Sequence, residues 1–238
     1  MSNKPFQFKE FTIHQDKTAM KVGTDGVLLG AWVQSKPAYF SVLDIGAGTG
    51  LIALMLAQKS NAEVIDAIEL NDEAYEQTVE NFELSNWGDR LFCYHASLQE
   101  FVDEIEDEYD LIVSNPPFYT STYKELSEDR AMARHTESLT YDELLAGTSK
   151  LLSAIGSCAF IIPFSEEENF IKIASENNLF PNRITNVKGT ENSPIKRSLL
   201  QLSFQETEIE ANELIIEIER HKYTQDYIDL VKDYYLKM

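Results

Sequence analysis

The stretch Val42-Leu-Asp-Ile-Gly-Ala-Gly-Thr-Gly50 decides how the rest of the chain is read. An apolar run that ends in glycines reads as a buried strand entering a turn. Leu51 to Gln58, apolar at helical spacing, reads as the helix that follows. Glycines allow positive φ and close approach of the backbone to a ligand. In open α/β sheets such a loop lies at the carboxyl ends of the strands, where ligands bind. Working outward, Val64–Leu70 predicts a second buried strand, and Asn71 a cap for a helix running to about Leu84. Leu91–Tyr94 and Asp110–Ser114 predict two more strands, the latter stopped by Pro116-Pro117. Thr140-x-x-Glu143 is a capping box opening a helix with Tyr141, Leu144, Leu145, Leu151 and Leu152 as its apolar residues. Ser157–Phe164 predicts a fifth strand, with Ser165-x-x-Glu168 capping the helix after it, and Phe180–Val187 and Arg197–Phe204 a terminal strand pair. Strands alternating with helices give an α/β fold: a mainly parallel sheet with helices on both faces.

The ends of the chain fall outside this alternation. Residues 1–40 predict a hairpin plus a helix starting near Asp25, packed on a core of residues 41–205. Residues 206–238 form an acidic extension of the same domain, with a strand at Leu214–Ile218 and a helix around Tyr227–Leu236. With 43% apolar residues in 238, the chain has enough to build a core, so wholesale disorder is excluded despite a net charge of −20. Cys93 and Cys158 are too few and too far apart for a disulfide scaffold or a zinc knuckle, and fit a reducing compartment. Met1–Glu10 lacks a signal-peptide core, and no apolar run is long enough to span a bilayer. These features predict a soluble, cytoplasmic protein with no membrane association. The acidic balance argues against broad electrostatic adhesion to nucleic acid.

The glycine spacing selects the ligand. A dinucleotide fingerprint beginning at Gly46 needs glycine at 51, which is Leu51. Gly46, Gly48 and Gly50 with Asp44 before them resemble instead the nucleotide loop of class I S-adenosylmethionine methyltransferases. That resemblance implies a Rossmann-like, mainly parallel seven-stranded sheet with an antiparallel strand near the C-terminus, and S-adenosyl-L-methionine as cofactor. It also implies that Asp44 organises the loop near the methionine part. Glu69 closes the second strand, where a carboxylate can accept hydrogen bonds from both ribose hydroxyls. Ala96-Ser97 falls where that fold contacts the adenine ring. A glycine turn can serve strand–helix packing alone, but Asp44 and Glu69 together favour the cofactor reading.

Ser114-Asn115-Pro116-Pro117-Phe118, after the fourth strand, is the sharpest signal. Tandem prolines fix φ and supply no donor, so carbonyls are left free as acceptors. Asn115 adds a side-chain carbonyl and Phe118 an aromatic face. The set suits a planar amino group, with its two N–H bonds on Asn115 Oδ1 and the Pro116 carbonyl and its ring stacked on Phe118. The nitrogen lone pair of such a group is delocalised and poorly nucleophilic, so orientation towards an electrophilic methyl carries the chemistry. The pattern [DN]-P-P-[FYW] is that of the amino-methyltransferases, and by itself leaves adenine, cytosine and a glutamine amide open.

The region before the core narrows the substrate. Phe11 to Trp32, above all Lys21-Val-Gly-Thr-Asp-Gly26, together with Arg134-His135, is similar to the bacterial tRNA(Val) adenine-N(6) methyltransferase family, over about Phe6–Phe204. The resemblance implies N(6)-methylation of adenosine 37, next to the anticodon of tRNA(Val). It places Lys21, Thr24, Asp25 and Gly26 at the cofactor pocket, although the last three also read as a capped helix start. Arg134, His135, Lys196 and Arg197 become candidates for substrate binding, where a solvated loop serves equally well. RNA affinity requires local rather than total positive charge, and Lys17/Lys21, Lys124/Arg130/Arg134 and Lys188–Arg197 are candidate patches for tRNA. The alternative is a release-factor-type glutamine methyltransferase, which shares the tetrapeptide. That family usually has Tyr after the prolines and a helical N-terminal domain, for which forty residues are too few. DNA adenine methylation lacks a target-recognition domain here, and a silent binding module leaves Asp44, Glu69 and Asn115 without purpose. His14, His95 and His221 lack metal-ligand spacing, so no metal is called for. No obligatory protein partner is evident.

Overall fold

Apolar side chains alternate between two clusters along the central strands, and this alternation builds a sheet buried on both faces. The computed structural model describes residues 4–34, 39–116 and 139–238. A two-stranded antiparallel hairpin, β1 (Phe6–Gln7) and β2 (Thr12–Ile13), comes first, followed by α1 (Thr24–Trp32). The core is β3 (Ser41–Ile45), α2 (Leu51–Lys59), β4 (Val64–Glu69), α3 (Asp72–Glu83), β5 (Leu91–His95), α4 (Leu98–Glu104) and β6 (Tyr109–Ser114). After the undescribed stretch come α5 (Tyr141–Leu151), β7 (Leu152–Pro163), α6 (Glu167–Glu176), β8 (Phe180–Thr190) and β9 (Ile195–Ser203). The tail adds β10 (Glu210–Glu219), β11 (Lys222–Tyr223) and α7 (Gln225–Val231).

The large sheet has the order β11-β10-β8-β9-β7-β6-β3-β4-β5. β3, β4, β5, β6 and β7 run parallel, β9 is antiparallel to both β7 and β8, and β10 is parallel to β8. The fold is thus Rossmann-like α/β, as expected, but nine strands replace seven because β10 pairs onto β8 and β11 onto β10. Val42, Ile65, Leu111 and Ile161 face the cluster that packs α1, α2 and α7, together with Phe8 and Ile13 of the N-terminal arm. Leu43, Ile68, Ile112 and Phe160 face the cluster of α4, α5 and α6. β3 is flanked by β4 on one side and β6 on the other, so the strand order reverses there. The crevice at such a switch point is the expected ligand site.

Several local expectations change. α6 is not capped by Ser165: Phe164–Glu166 form a single 3₁₀ turn, and α6 begins after Glu166 with no side-chain cap. β7 starts five residues early, directly off α5, with Ile155 projecting into solvent. α1 has Gly23 rather than a hydroxyl or carboxylate at its N-cap. α7 is shorter than expected, opening at Gln225 under Thr224 as its cap. The short α4 was not anticipated, although Ser97 and Glu100 form the same capping box as Thr140 and Glu143. Cys158 is fully buried and Cys93 half-buried, and burial pushes the Cys93 thiol up to about 12. Both belong to the strands rather than to any reaction. Among the described residues no helix is long and apolar enough to cross a membrane.

Candidate active site

The glycine loop requires glycine at every position expected. Gly46, Gly48 and Gly50 have φ of 74°, 62° and 74°, in the left-handed region. A Cβ at Gly50 would also lie 2.6 Å from the Phe82 ring, whereas Gly46 and Gly48 face open space. The loop is tied down from below: the Gly46 and Ala47 N–H groups donate to the Ile68 carbonyl at 2.9 and 3.1 Å. Glu69 Oε2 accepts from the Gly48 N–H at 2.8 Å, and Oε1 accepts from the Asn71 N–H at 2.9 Å. Each oxygen retains lone pairs for further acceptance. Asp44 is fully buried, with Oδ2 accepting from the Ala53 N–H at 3.1 Å and Oδ1 unpartnered among the described residues.

Burial, opposed by the Ala53 hydrogen bond and reinforced by Glu69, pushes the Asp44 carboxyl up to about 7. In an unfolded chain the same group titrates near ~3.9. The folded form therefore holds its proton longer, and the stability this confers is present below pH ~4 and lost as pH rises through about 7. At 1.36 kcal/mol per unit the span is on the order of 4 kcal/mol. Denaturant titrations of wild type and Asp44→Asn should show the wild type losing stability relative to the variant between about pH 4 and 7. Parallel pH curves for the two proteins would contradict this.

Two cavities meet over the loop. One, of about 510 Å³, has an apolar floor of Ile45, Ile68, Leu98 and Leu139, with Glu69 and Ser97 on its wall. The other, of about 620 Å³, is bounded by Met20–Gly26 and Gly46–Thr49. Asn115 and Pro116 border both. β6 delivers them there: Ser114 Oγ donates to the Ile45 carbonyl at 2.8 Å, fixing the end of the strand to β3. Asn115 Oδ1 is buried with no hydrogen-bond partner among the described residues. A buried acceptor left open costs about 1–3 kcal/mol, so a donor from a ligand is the natural complement. A larger cavity, of about 1010 Å³, lies among Val33, Lys59 and Tyr234. It sits by the C-terminal ends of α1 and α2, at the other end of the sheet from the glycine loop.

The remaining sequence candidates divide. Thr24, Asp25 and Gly26 do line the second cavity. Lys21 lines it too, but its ammonium donates to the carbonyls of Gln15 and Thr18 and so orders the N-terminal arm. Arg197 Nε donates to Asp25 Oδ2 at 2.8 Å, joining two residues expected to act on different ligands. Lys196 is exposed beside it. Ser97 lines the first cavity while its hydroxyl caps α4. Lys17 is paired with Glu80 at 3.2 Å and Lys188 with Glu213 at 2.7 Å. Pro117, Phe118, Lys124, Arg130, Arg134 and His135 lie outside the described residues.

The sequence reading missed a polar stripe on α3. Gln77, Thr78 and Asn81 are buried, and between them they hold the N-terminal arm and the glycine loop. Asn81 Nδ2 donates to the carbonyls of Thr49 and His14, each at 2.9 Å, and Asn81 Oδ1 accepts from the His14 N–H at 2.8 Å. Thr78 Oγ1 donates to the Gly48 carbonyl at 3.0 Å, and Gln77 Oε1 accepts from the Lys17 N–H at 2.9 Å. The stripe staples the N-terminal arm to the glycine loop. Asn81→Ala would orphan several backbone groups, so chemical denaturation should show a loss of about 1–3 kcal/mol. No loss would mean the staple is idle.

A glycine loop at the switch point, with an acidic strand end beside it and an Asn-Pro opposite, defines a methyltransferase of the Rossmann-like class. Residues 22–143 match the family model of the methyltransferase small domain. A predicted O-methyltransferase of Agrobacterium tumefaciens shares the fold, with a TM-score of 0.69, 17% identity, and coverage of 88% of this chain and 96% of that one. The tRNA1(Val) (adenine(37)-N6)-methyltransferase of Christiangramia forsetii is 60% identical over 100% of both chains. The protein of the same name from Flavobacterium johnsoniae is 60% identical over 98% of this chain and 100% of its own. The chain belongs to the tRNA1(Val) (adenine(37)-N6)-methyltransferase family.

Proposed function

We propose that the protein methylates the N(6) amino group of adenosine 37 in tRNA(Val), with S-adenosyl-L-methionine as donor. The observation that carries this reading is the buried Asn115 Oδ1, unpartnered among the described residues, at the junction of the two cavities. The residues present suit the cofactor. Glu69 offers acceptors for ribose hydroxyls, Ile45, Ile68 and Leu98 offer an apolar face for an adenine ring, and Gly46 and Gly48 leave space for close approach. When bound, S-adenosyl-L-methionine supplies an electrophilic sulfonium methyl.

The rest is positioning by this chain. Asn115 Oδ1 and the Pro116 carbonyl accept the two N–H bonds of the target amine, which turns its lone pair towards the methyl. Asn115 is neutral and takes no proton. The amine loses its proton to water after the carbon–nitrogen bond has formed. The Asn-Pro-Pro-Phe motif assigns stacking on the target base to Phe118, which lies outside the described residues, and the base must be unstacked from the RNA to be reached.

The acidic surface leaves few cations for phosphate. Lys17 and Lys188 sit in exposed or partly exposed carboxylate pairs, which water and salt screen. A phosphate can replace the carboxylate, which favours modest affinity with strong salt dependence. Transfer of labelled methyl to total tRNA from cells lacking this protein, followed by nucleoside analysis, tests the reading. Label in N(6)-methyladenosine supports it. Label entering a protein fraction instead would move a glutamine amide into first place.

A further inference from the structure

A second cleft, of about 690 Å³, lies beside the cofactor cavity and is walled by aromatic rings: Phe6, Tyr223, Tyr227 and Tyr235. Its position follows from the strand directions. β8 and β10 run parallel with β7, so their carboxyl ends at Thr190 and Glu219 lie at the same end of the sheet as Ile45 and Ser114. Thr24 and Gly189 line this cleft, and Thr24 also lines the 620 Å³ cavity around the glycine loop. The two clefts are therefore neighbours on one surface.

The chemistry of the walls selects an occupant. Tyr223 and Tyr227 have ring centroids 5.3 Å apart, and Tyr235 stacks on Phe8 with centroids 5.7 Å apart, which fixes the far wall. Tyr223 is only half-buried, so its ring remains available to stack. Besides the tyrosine hydroxyls, the polar groups inside are Glu217, an acceptor, and Gln7 and Thr24, which both donate and accept. A phosphate would meet the Glu217 carboxylate. A flat ring with N–H donors on its edge would not, and Lys237 stands at the rim, where a backbone phosphate of such a nucleotide would lie. Aromatic walls with polar groups set for a base edge are how proteins hold unstacked RNA bases.

We infer that this cleft binds a nucleobase of the RNA adjacent to the target adenosine. The inference rests on the tRNA reading above and deepens it. Extruding one base frees its neighbours from their stack, and a second aromatic slot next to the first captures one of them. The slot thereby reads the shape of the anticodon loop with no broad basic surface.

The experiment uses the full chain and a tRNA(Val) transcript carrying 2-aminopurine on either side of the target adenosine in turn. Methyl transfer is measured alongside fluorescence for wild type, Tyr223→Phe and Tyr223→Leu. At one flanking position the fluorescence should be quenched on binding by wild type and by Tyr223→Phe, and the quenching should be lost in Tyr223→Leu. KM for tRNA should rise roughly 5- to 150-fold in Tyr223→Leu, the range for one lost base–aromatic stack, with the loss falling on KM rather than on kcat. Equal fluorescence and equal KM in all three proteins, with wild type active on tRNA, would overturn the slot alone. A change of oligomeric state in Tyr223→Leu on sedimentation, without loss of quenching, would also overturn it and assign the cleft to contact between copies. Absence of any methyl transfer to tRNA by wild type would overturn the tRNA reading itself.

Discussion

Asn115→Ala should lower kcat by about 10²- to 10³-fold while leaving the affinity for S-adenosyl-L-methionine nearly unchanged. Its Oδ1 is buried with no hydrogen-bond partner among the described residues and stands where the two cavities join. Nothing in the described structure depends on it for folding, because the end of β6 is secured by Ser114 on Ile45 rather than by Asn115. Among the described residues nothing engages this oxygen, which leaves it to a ligand. Preorganised dipoles aimed at a reacting group are commonly worth factors of 10²–10³ in rate, or about 3–4 kcal/mol. Single-turnover kinetics with calorimetry of cofactor binding separates the two effects. Cofactor affinity falling as much as the rate would place Asn115 at the cofactor rather than at the amine.

Glu69→Ala should do the reverse. It removes acceptors for the ribose and also releases the Gly48 N–H held at 2.8 Å, so the loop loses its brace as well as its ligand contact. The loss of cofactor affinity should be on the order of 1–3 kcal/mol, about 5- to 150-fold in Kd. kcat at saturating cofactor should change much less. Glu69→Gln separates the parts, since its carbonyl oxygen can still brace Gly48 while only one acceptor remains. Unaltered cofactor binding in Glu69→Ala would remove the basis for placing the ribose there.

How far the sequence was legible depends on the range of the interaction concerned. β3, β4 and β6 are buried on both faces and are followed by glycine, by the Asn71 cap and by proline respectively, so a short apolar run and its punctuation locate each within a residue or two. The Asn71 cap and the Thr140/Glu143 box are local signals, and both stand. β10 was underestimated because it opens with Glu210 and carries Glu213, Glu217 and Glu219 on one side, which read as solvated tail rather than strand. Ser165 misled because the chain tightens into a 3₁₀ turn before α6, and no local pattern announces that.

The candidate site shows the same divide. The three glycines, Asp44, Glu69 and Asn115 converge as the motifs imply, since each ends or follows a strand at the switch point. The Asp25–Arg197 pair joins residues 172 apart in sequence, and Gln77, Thr78 and Asn81 read as ordinary surface of a polar helix. Only the fold brings these groups to the loop, so their roles were not legible.

The central claim concerns one nitrogen on one nucleotide. The most direct measurement is methyl transfer to a tRNA(Val) transcript and to the same transcript with guanosine at position 37, each followed by nuclease mapping. The account predicts close to one methyl per molecule, recovered as N(6)-methyladenosine at position 37, and none in the guanosine variant. Undiminished methylation of the variant, or methyl recovered on another atom, would contradict it.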